Sequence, residues 1–369
     1  MDVNQKSGGV RMVRRINENR KKFCRTIFLL GILFTIAFCA TACGKTQEDD
    51  GRLHVVAAIF PLYDWTREII GETVPEVELT LLVNDGTDLH SYQPSASDLI
   101  NISTCDVFLY VGGASDVWVE DALKNVTNPD MQVINLMDVL GSRAVEEEIV
   151  AGMQHSHEDN DAHEHSEAVV HEEEEHEAGR FHIAEENHER GSYDEHVWLS
   201  LNNAILFVNH ISEVLANVDA VHAETYRSNA AAYTDRLKAL EAEYRNTIEQ
   251  ADIDTLLFCD RFPFRYLTED YGLKYYAAFP GCSAETEASF ATIAFLAEKL
   301  EELQLPAVIT IEGSDQKIAQ TVIQNTDSKS QAIVSLDSLQ SVSRKDIEEG
   351  VSYLSVMEKN LSVLKQVLQ

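Results

Sequence analysis

The chain has 369 residues and sets 62 Asp and Glu against 29 Lys and Arg, a formal charge of −33. So negative a balance argues against nucleic acid and anionic lipid as charge-held partners and suits a cationic ligand. The length exceeds one comfortable hydrophobic core, so two domains are expected.

The N-terminus reads as an address rather than fold. Residues 1–25 are basic, with Arg11, Arg14, Arg15, Arg20, Lys21, Lys22 and Arg25, and residues 26–40 are apolar. That run is shorter than the ~20 residues of a membrane span and matches the apolar part of a signal peptide. It ends in Ala40-Thr41-Ala42-Cys43 before an acidic stretch. This arrangement resembles a bacterial lipoprotein processing site. The resemblance implies cleavage before Cys43, a lipid on its sulfur, a short tether over 43–52, and an extracytoplasmic body anchored to the cell membrane. Residues 1–42 hold eight Lys and Arg and two acids, so their removal takes the charge from −33 to −39. Cys105, Cys259 and Cys282 remain, too few and too odd in number for a disulfide framework. Either Cys259 pairs with Cys282 or all three are free thiols.

From residue 53 to 144 strands alternate with helices. The continuous apolar run 53–60 reads as a strand covered on both faces. Pro61 opens a helix that Gly71 ends. Strands follow at 77–83, 107–111 and 131–136, and helices at 95–104 and 116–124. The alternation predicts a parallel α/β sheet, with ligands beyond the carboxyl ends of its strands. His90 falls just past the second strand.

Periodicity stops at 145–190. Acids dominate, and eight of the 13 histidines stand here: His155, His157, His163, His165, His171, His176, His182 and His188. With so little apolar surface to offset ordering entropy, the insert is expected to be disordered. Its histidines among acids read as a weak, exchangeable metal collector. The bland alternative is a solvated acidic linker.

The turn Asp194-Glu195-His196-Val197-Trp198-Leu199 follows, then helices at 199–218 and 219–250. The second would span about 45 Å, long enough to link two lobes. The α/β pattern then restarts. Strands are expected at 256–258, 275–279, 307–311 and 332–336, and helices from 261 to about 270, at 285–304, at 314–325 and at 350–369. Asp260 and Glu312 fall at strand ends. The expected architecture is two parallel α/β lobes, 53–218 (around the insert) and 251–369, joined by one long helix.

Taken together these residues resemble the ZnuA-like solute-binding lipoproteins of zinc and manganese ABC importers. Gly86-Thr87-Asp88-Leu89-His90-Ser91-Tyr92-Gln93-Pro94 is similar to that family's Gly-x-Asp-Pro-His-x-Tyr-x-Pro, with Leu89 in place of proline. The turn at His196 is similar to Asp-Pro-His-x-Trp-Leu. The segment from Asp260 through Phe264 to Gly272 is similar to His/Glu-x-x-Phe-x-Tyr-Phe-x-x-x-Tyr-Gly, but Asp260 stands one residue too far from the phenylalanine. The loop 281–287 corresponds to a family loop near the cleft.

The resemblance implies a monomer that captures a metal ion between its lobes and passes it to a permease with a cytoplasmic ATPase, moving its lobes only modestly. It also implies a ligand set of His90, His196, Asp260 and one of Glu312 or Asp315. Asp88 and Asp194, each two residues before its histidine, are candidates to support the rings. Two imidazoles with carboxylates admit Zn²⁺ or Mn²⁺; the His-rich insert favours Zn²⁺. The chain carries neither a Gly-x-x-x-x-Gly-Lys-Ser/Thr loop nor a His-Glu-x-x-His helix, so neither ATP hydrolysis nor metalloprotease chemistry is expected of it. Mn²⁺ delivery and a surface adhesin are the competing functions.

Overall fold

The computed structural model describes residues 51–72, 77–154, 193–283 and 287–369. The leader, Cys43 and the His-rich tract 155–188 lie outside the described residues. Residues 52–369 form one compact unit.

The first sheet is built from β1 (Leu53–Ala57), β2 (Val77–Leu81), β3 (Val107–Tyr110) and β4 (Gln132–Asn135) in the order β2-β1-β3-β4, all parallel. Its crossovers are α1 (Phe60–Ile70), α2 (Ala96–Thr104) and α3 (Trp118–Leu123). Their limits follow local chemistry. Pro61 sits in the first turn of α1 and Gly71 ends it at φ +67. Ser95 and Asp98 close a reciprocal capping box on α2. The short α4 (Leu136–Leu140) completes this part.

A 3-10 turn, Val197–Leu199, leads into α5 (Leu201–Val218), and α6 (Ala223–Glu249) follows. At 27 residues α6 is about 40 Å long. Near its start Asn229 donates to the Ile69 carbonyl of the first lobe. Near its end Tyr244 donates to the Met357 carbonyl of the second at 2.6 Å. The helix therefore runs across both lobes.

The second sheet repeats the first. Strands β5 (Thr255–Phe262), β6 (Lys274–Pro280), β7 (Ala307–Ile311) and β8 (Ala332–Leu336) stand in the order β6-β5-β7-β8, again parallel. Helices α7 (Arg265–Tyr271), α8 (Phe290–Glu302), α9 (Lys317–Gln324), α10 (Arg344–Glu348) and α11 (Tyr353–Val367) cover it. In each sheet the order reverses beside the first strand, so each lobe has its switch point facing the same crevice.

The lobes do not merely touch. One apolar core runs from Val55 in β1 to Leu368 after α11. Tyr353 donates its N–H to Asp64 and its hydroxyl to the Trp198 carbonyl, and its ring lies edge-on to Trp65 at 5.1 Å. Trp198 donates its indole N–H to the Ser338 carbonyl at 2.9 Å. An interface this apolar opposes wide hinge motion.

Two expectations need correction. The strand expected at 256–258 extends to Phe262, with its register shifting between Phe258 and Arg261, so Asp260 lies inside an irregular strand and not at its end. The insert expected from residue 145 begins later, because residues 145–154 are packed. Asp194 donates its N–H to the Val145 carbonyl, Tyr275 donates to Glu148, and Gln154 donates to the Ala278 carbonyl. Its acids are thus held by the second lobe, a long-range effect that composition does not report.

Candidate metal centre

His90 and His196 come from separate turns of the first lobe. Asp88 accepts from the His90 N–H at 3.0 Å, and Asp194 accepts from the His196 N–H at 2.8 Å. The same Asx turn, used twice, fixes the backbone of both histidines. The two rings meet edge to face, with centroids 5.4 Å apart.

Each ring is oriented through its Nδ1. That of His196 lies 3.0 Å from Asp194 Oδ1. That of His90 lies 3.1 Å from Glu195 Oε1 and 2.6 Å from Ser115 Oγ. Ser115 itself donates from its backbone N–H and its hydroxyl to Glu195. Burial pushes the Glu195 carboxyl up, but hydrogen bonding from His90, the charge of His196 and both Ser115 donors outweigh it and hold it at about 2. An ionised carboxylate only accepts, so Nδ1 of each ring is the donor to it and Nε2 is the nitrogen left to face a cation. Both Nε2 atoms are buried and have no hydrogen-bond partner among the described residues. His196 is fully buried and His90 partly so, with 15% of its side chain exposed. Burial disfavours a charged His196 ring, yet Asp194, Glu195 and Glu147 together reverse that effect. The pocket around the two rings is therefore poised for a cation.

Asp194 thus takes the supporting role expected of it. Asp88 does not: it holds its histidine's backbone only, and its other oxygen pairs with Arg261 across the cleft at 2.6 Å. Support for the His90 ring comes from Glu195, which sequence reasoning passed over. Gly113 makes room for that carboxylate; a Cβ there would lie 2.1 Å from Glu195 Oε2.

On the second lobe's side, Asp260, Glu312 and Asp315 line a cavity of about 490 Å³ together with Asp88 and His90. None of the three joins the two histidines in a ligand-sized cluster, and each is committed elsewhere. Asp260 accepts from the backbone of Arg261 and, at 3.5 Å, of Ile311. Glu312 accepts from the N–H and hydroxyl of Ser338. Asp315 is exposed and paired with Lys317. Arg261, three residues before Phe264, faces Asp88.

The residue that does join them is Cys282, just past β6. One ligand atom from each of His90, His196 and Cys282 lies within 4.8 Å of the others. Its sulfur is 3.6 Å from Glu195 Oε1. Burial and the nearby carboxylates Glu195, Glu147 and Asp194 raise its thiol well above the ordinary value. Cys105, Cys259 and Cys282 are all free, so the bridge weighed from the sequence does not form. Only its place in the loop 281–287, which the resemblance set near the cleft, pointed to Cys282 beforehand.

Two parallel α/β lobes facing one crevice, with histidines converging from the strand ends, define a solute-binding protein of the two-lobed, helix-linked type. The family described as zinc-uptake complex component A, periplasmic (ZnuA), matches residues 55–367, and the chain belongs to it. The chain is 31% identical over 338 residues to the zinc-binding lipoprotein AdcA of Streptococcus pneumoniae serotype 4 (strain ATCC BAA-334 / TIGR4), over 90% of this chain and 60% of AdcA. It therefore spans only about three-fifths of that relative's length. It is 26% identical over 345 residues to the high-affinity zinc uptake system protein ZnuA of Bacillus subtilis (strain 168), over 91% of this chain and 97% of that one. The crystal structure of the Zn(II)-bound ZnuA-like domain of Streptococcus pneumoniae AdcA matches with TM-score 0.62 at 27% identity, over 86% of this chain and 99% of that one.

Proposed function

We propose that the chain is the extracytoplasmic component of a zinc importer, binding Zn²⁺ at His90 and His196 and delivering it to an ABC permease. The observation that carries this reading is the pair of buried Nε2 atoms, unpartnered among the described residues, each on a ring whose Nδ1 is held by a carboxylate. A buried polar atom without a partner costs stability, and a dication supplies the missing partner to both at once. Imidazole donors suit zinc better than manganese. Relatives whose names record zinc binding and zinc uptake support the same ion.

In this reading the chain carries no chemistry of its own. The ion is cargo, and lipid on Cys43 keeps the protein beside its permease. The His-rich tract collects ions at low affinity for the cleft. Manganese delivery and surface adhesion are the alternatives.

Competitive titration of Zn²⁺ against Mn²⁺ with a chelator of known affinity tests this. It is run on the chain, on a version lacking 155–188 and on His196→Ala. One tight zinc site is expected to survive removal of the tract and to disappear with His196. Loss of the tight site with the tract alone would refute the cleft assignment, and tighter Mn²⁺ binding would transfer the cargo to manganese.

A further inference from the structure

We propose that the Cys282 thiolate is the second lobe's ligand to the bound ion, making the site a mixed nitrogen–sulfur one that ranks thiophilic dications above Mn²⁺. The inference rests on the reading of His90 and His196 as cargo ligands and deepens it.

Three independent observations converge on the sulfur. Its position relative to the two imidazoles is the first: one ring nitrogen of each and the sulfur already lie within 4.8 Å of one another. Tetrahedral zinc places nitrogen and sulfur donors about 3.3–3.6 Å apart, so a contraction of roughly 1 Å completes the cluster. Second, among the described residues no other histidine, cysteine or acid joins this cluster. The Nε2 atom of the fully buried His196 is unpartnered, as is that of His90. Asp260, Glu312 and Asp315 accept from backbone N–H groups, Ser338 and Lys317 in their own lobe and stand outside the cluster. Third, the loop is built to hold the cysteine at this point. The Cys282 N–H donates to Glu147 Oε1 at 3.3 Å. Gly281 packs so closely that a Cβ there would lie 3.0 Å from His196 Cε1 and 2.8 Å from the Phe262 carbonyl. Any larger residue at 281 would drive Cys282 away from the histidines.

The chemistry follows from the donor type. A thiol loses its proton as the ion binds, and the resulting thiolate is a far better ligand for Zn²⁺ than for Mn²⁺. Because Cys282 belongs to the second lobe and both histidines to the first, the metal–sulfur bond is also what would tie the lobes together through the ion.

Cobalt(II) titration of the full chain is the direct test, because a cobalt–thiolate bond gives a near-ultraviolet charge-transfer band that imidazole and carboxylate ligands do not give. The band is expected at one equivalent, unchanged in Cys105→Ser and Cys259→Ser and absent in Cys282→Ser. Cys282→Ser is expected to cost zinc affinity at least the ~10-fold that loss of a supporting partner costs, and to leave Mn²⁺ affinity less changed. On the unsubstituted chain, one equivalent of Zn²⁺ is expected to protect Cys282 from alkylation. A tight cobalt site that His196→Ala abolishes but that shows no thiolate band overturns Cys282 as ligand and leaves the cleft reading standing. Unhindered alkylation of Cys282 in the zinc-loaded chain overturns it as well. Absence of any tight site removes both readings.

Discussion

The two walls of the cleft present their polar groups in opposite ways. On the first lobe, His90 and His196 are braced by carboxylates at Nδ1 and have no partner at Nε2 among the described residues. On the second, Asp260, Glu312 and Asp315 are surrounded by donors from their own lobe. The walls differ in proximity as well: the three acids do not reach the cluster that the two histidines form with Cys282. The fold brings two rings and a thiol together at the cleft, and holds the second lobe's carboxylates apart from them.

Breaking the first wall should cost most. His196→Ala removes a ligand outright, and zinc affinity measured by chelator competition is expected to fall by more than the ~10–100-fold range of a lost supporting partner. Asp194→Asn and Glu195→Gln leave the rings in place but loosen their tautomer and orientation. Each is expected to lower affinity by about 10–100-fold without unfolding the chain.

The scaffold behind this wall carries a cost of its own. Asp116 accepts from the N–H groups of Val111 and Gly112 and so shapes the loop that bears Ser115. Burial, with Glu195 nearby, raises its carboxyl to about 6. A carboxyl raised in the folded state binds its proton more tightly there than in the unfolded chain. Its contribution therefore turns unfavourable as pH rises from about 3.8 through 6, and is fully unfavourable above that. Asp116→Asn keeps an acceptor for both N–H groups and removes the charge. Denaturant unfolding is expected to show a gain at pH 7 of up to about 3 kcal/mol, vanishing near pH 4. A gain that persists at pH 4 would show that the charge is not its source.

Smaller effects are expected at the junction of the walls. The Asp88–Arg261 pair spans the cleft and is only partly shielded. Arg261→Met is expected to speed zinc release by a factor corresponding to about 0.5–1 kcal/mol, less so at high salt. The smallest effect of all is expected on the second wall. Glu312→Gln and Asp315→Ala should leave zinc affinity within the error of the titration. A loss of tenfold or more in either would erase the contrast between the walls and restore the carboxylate ligand set.

What was legible in the sequence was what neighbouring residues decide among themselves. β7 and β8 have the limits that their apolar runs indicate, Ser95 caps α2, Gly71 ends α1, and the turns at His90 and His196 were visible because an Asx turn needs only an aspartate two residues before the histidine. The doubled alternation of strands and helices was enough for two parallel lobes, since such a pattern has few ways to bury its faces. The rest depended on residues far apart in the chain. Whether Glu312 is free depends on Ser338, whether Asp88 supports a ring depends on Arg261, and whether residues 145–154 are ordered depends on Tyr275 and Ala278. Cys282 looks like any sparse cysteine until β6 and the His196 turn are brought together. Local patterns determined where ligands could stand, but only the tertiary structure decided which of them come together and what each is bonded to, because neighbours and hydrogen-bond partners are allotted in space and not along the chain.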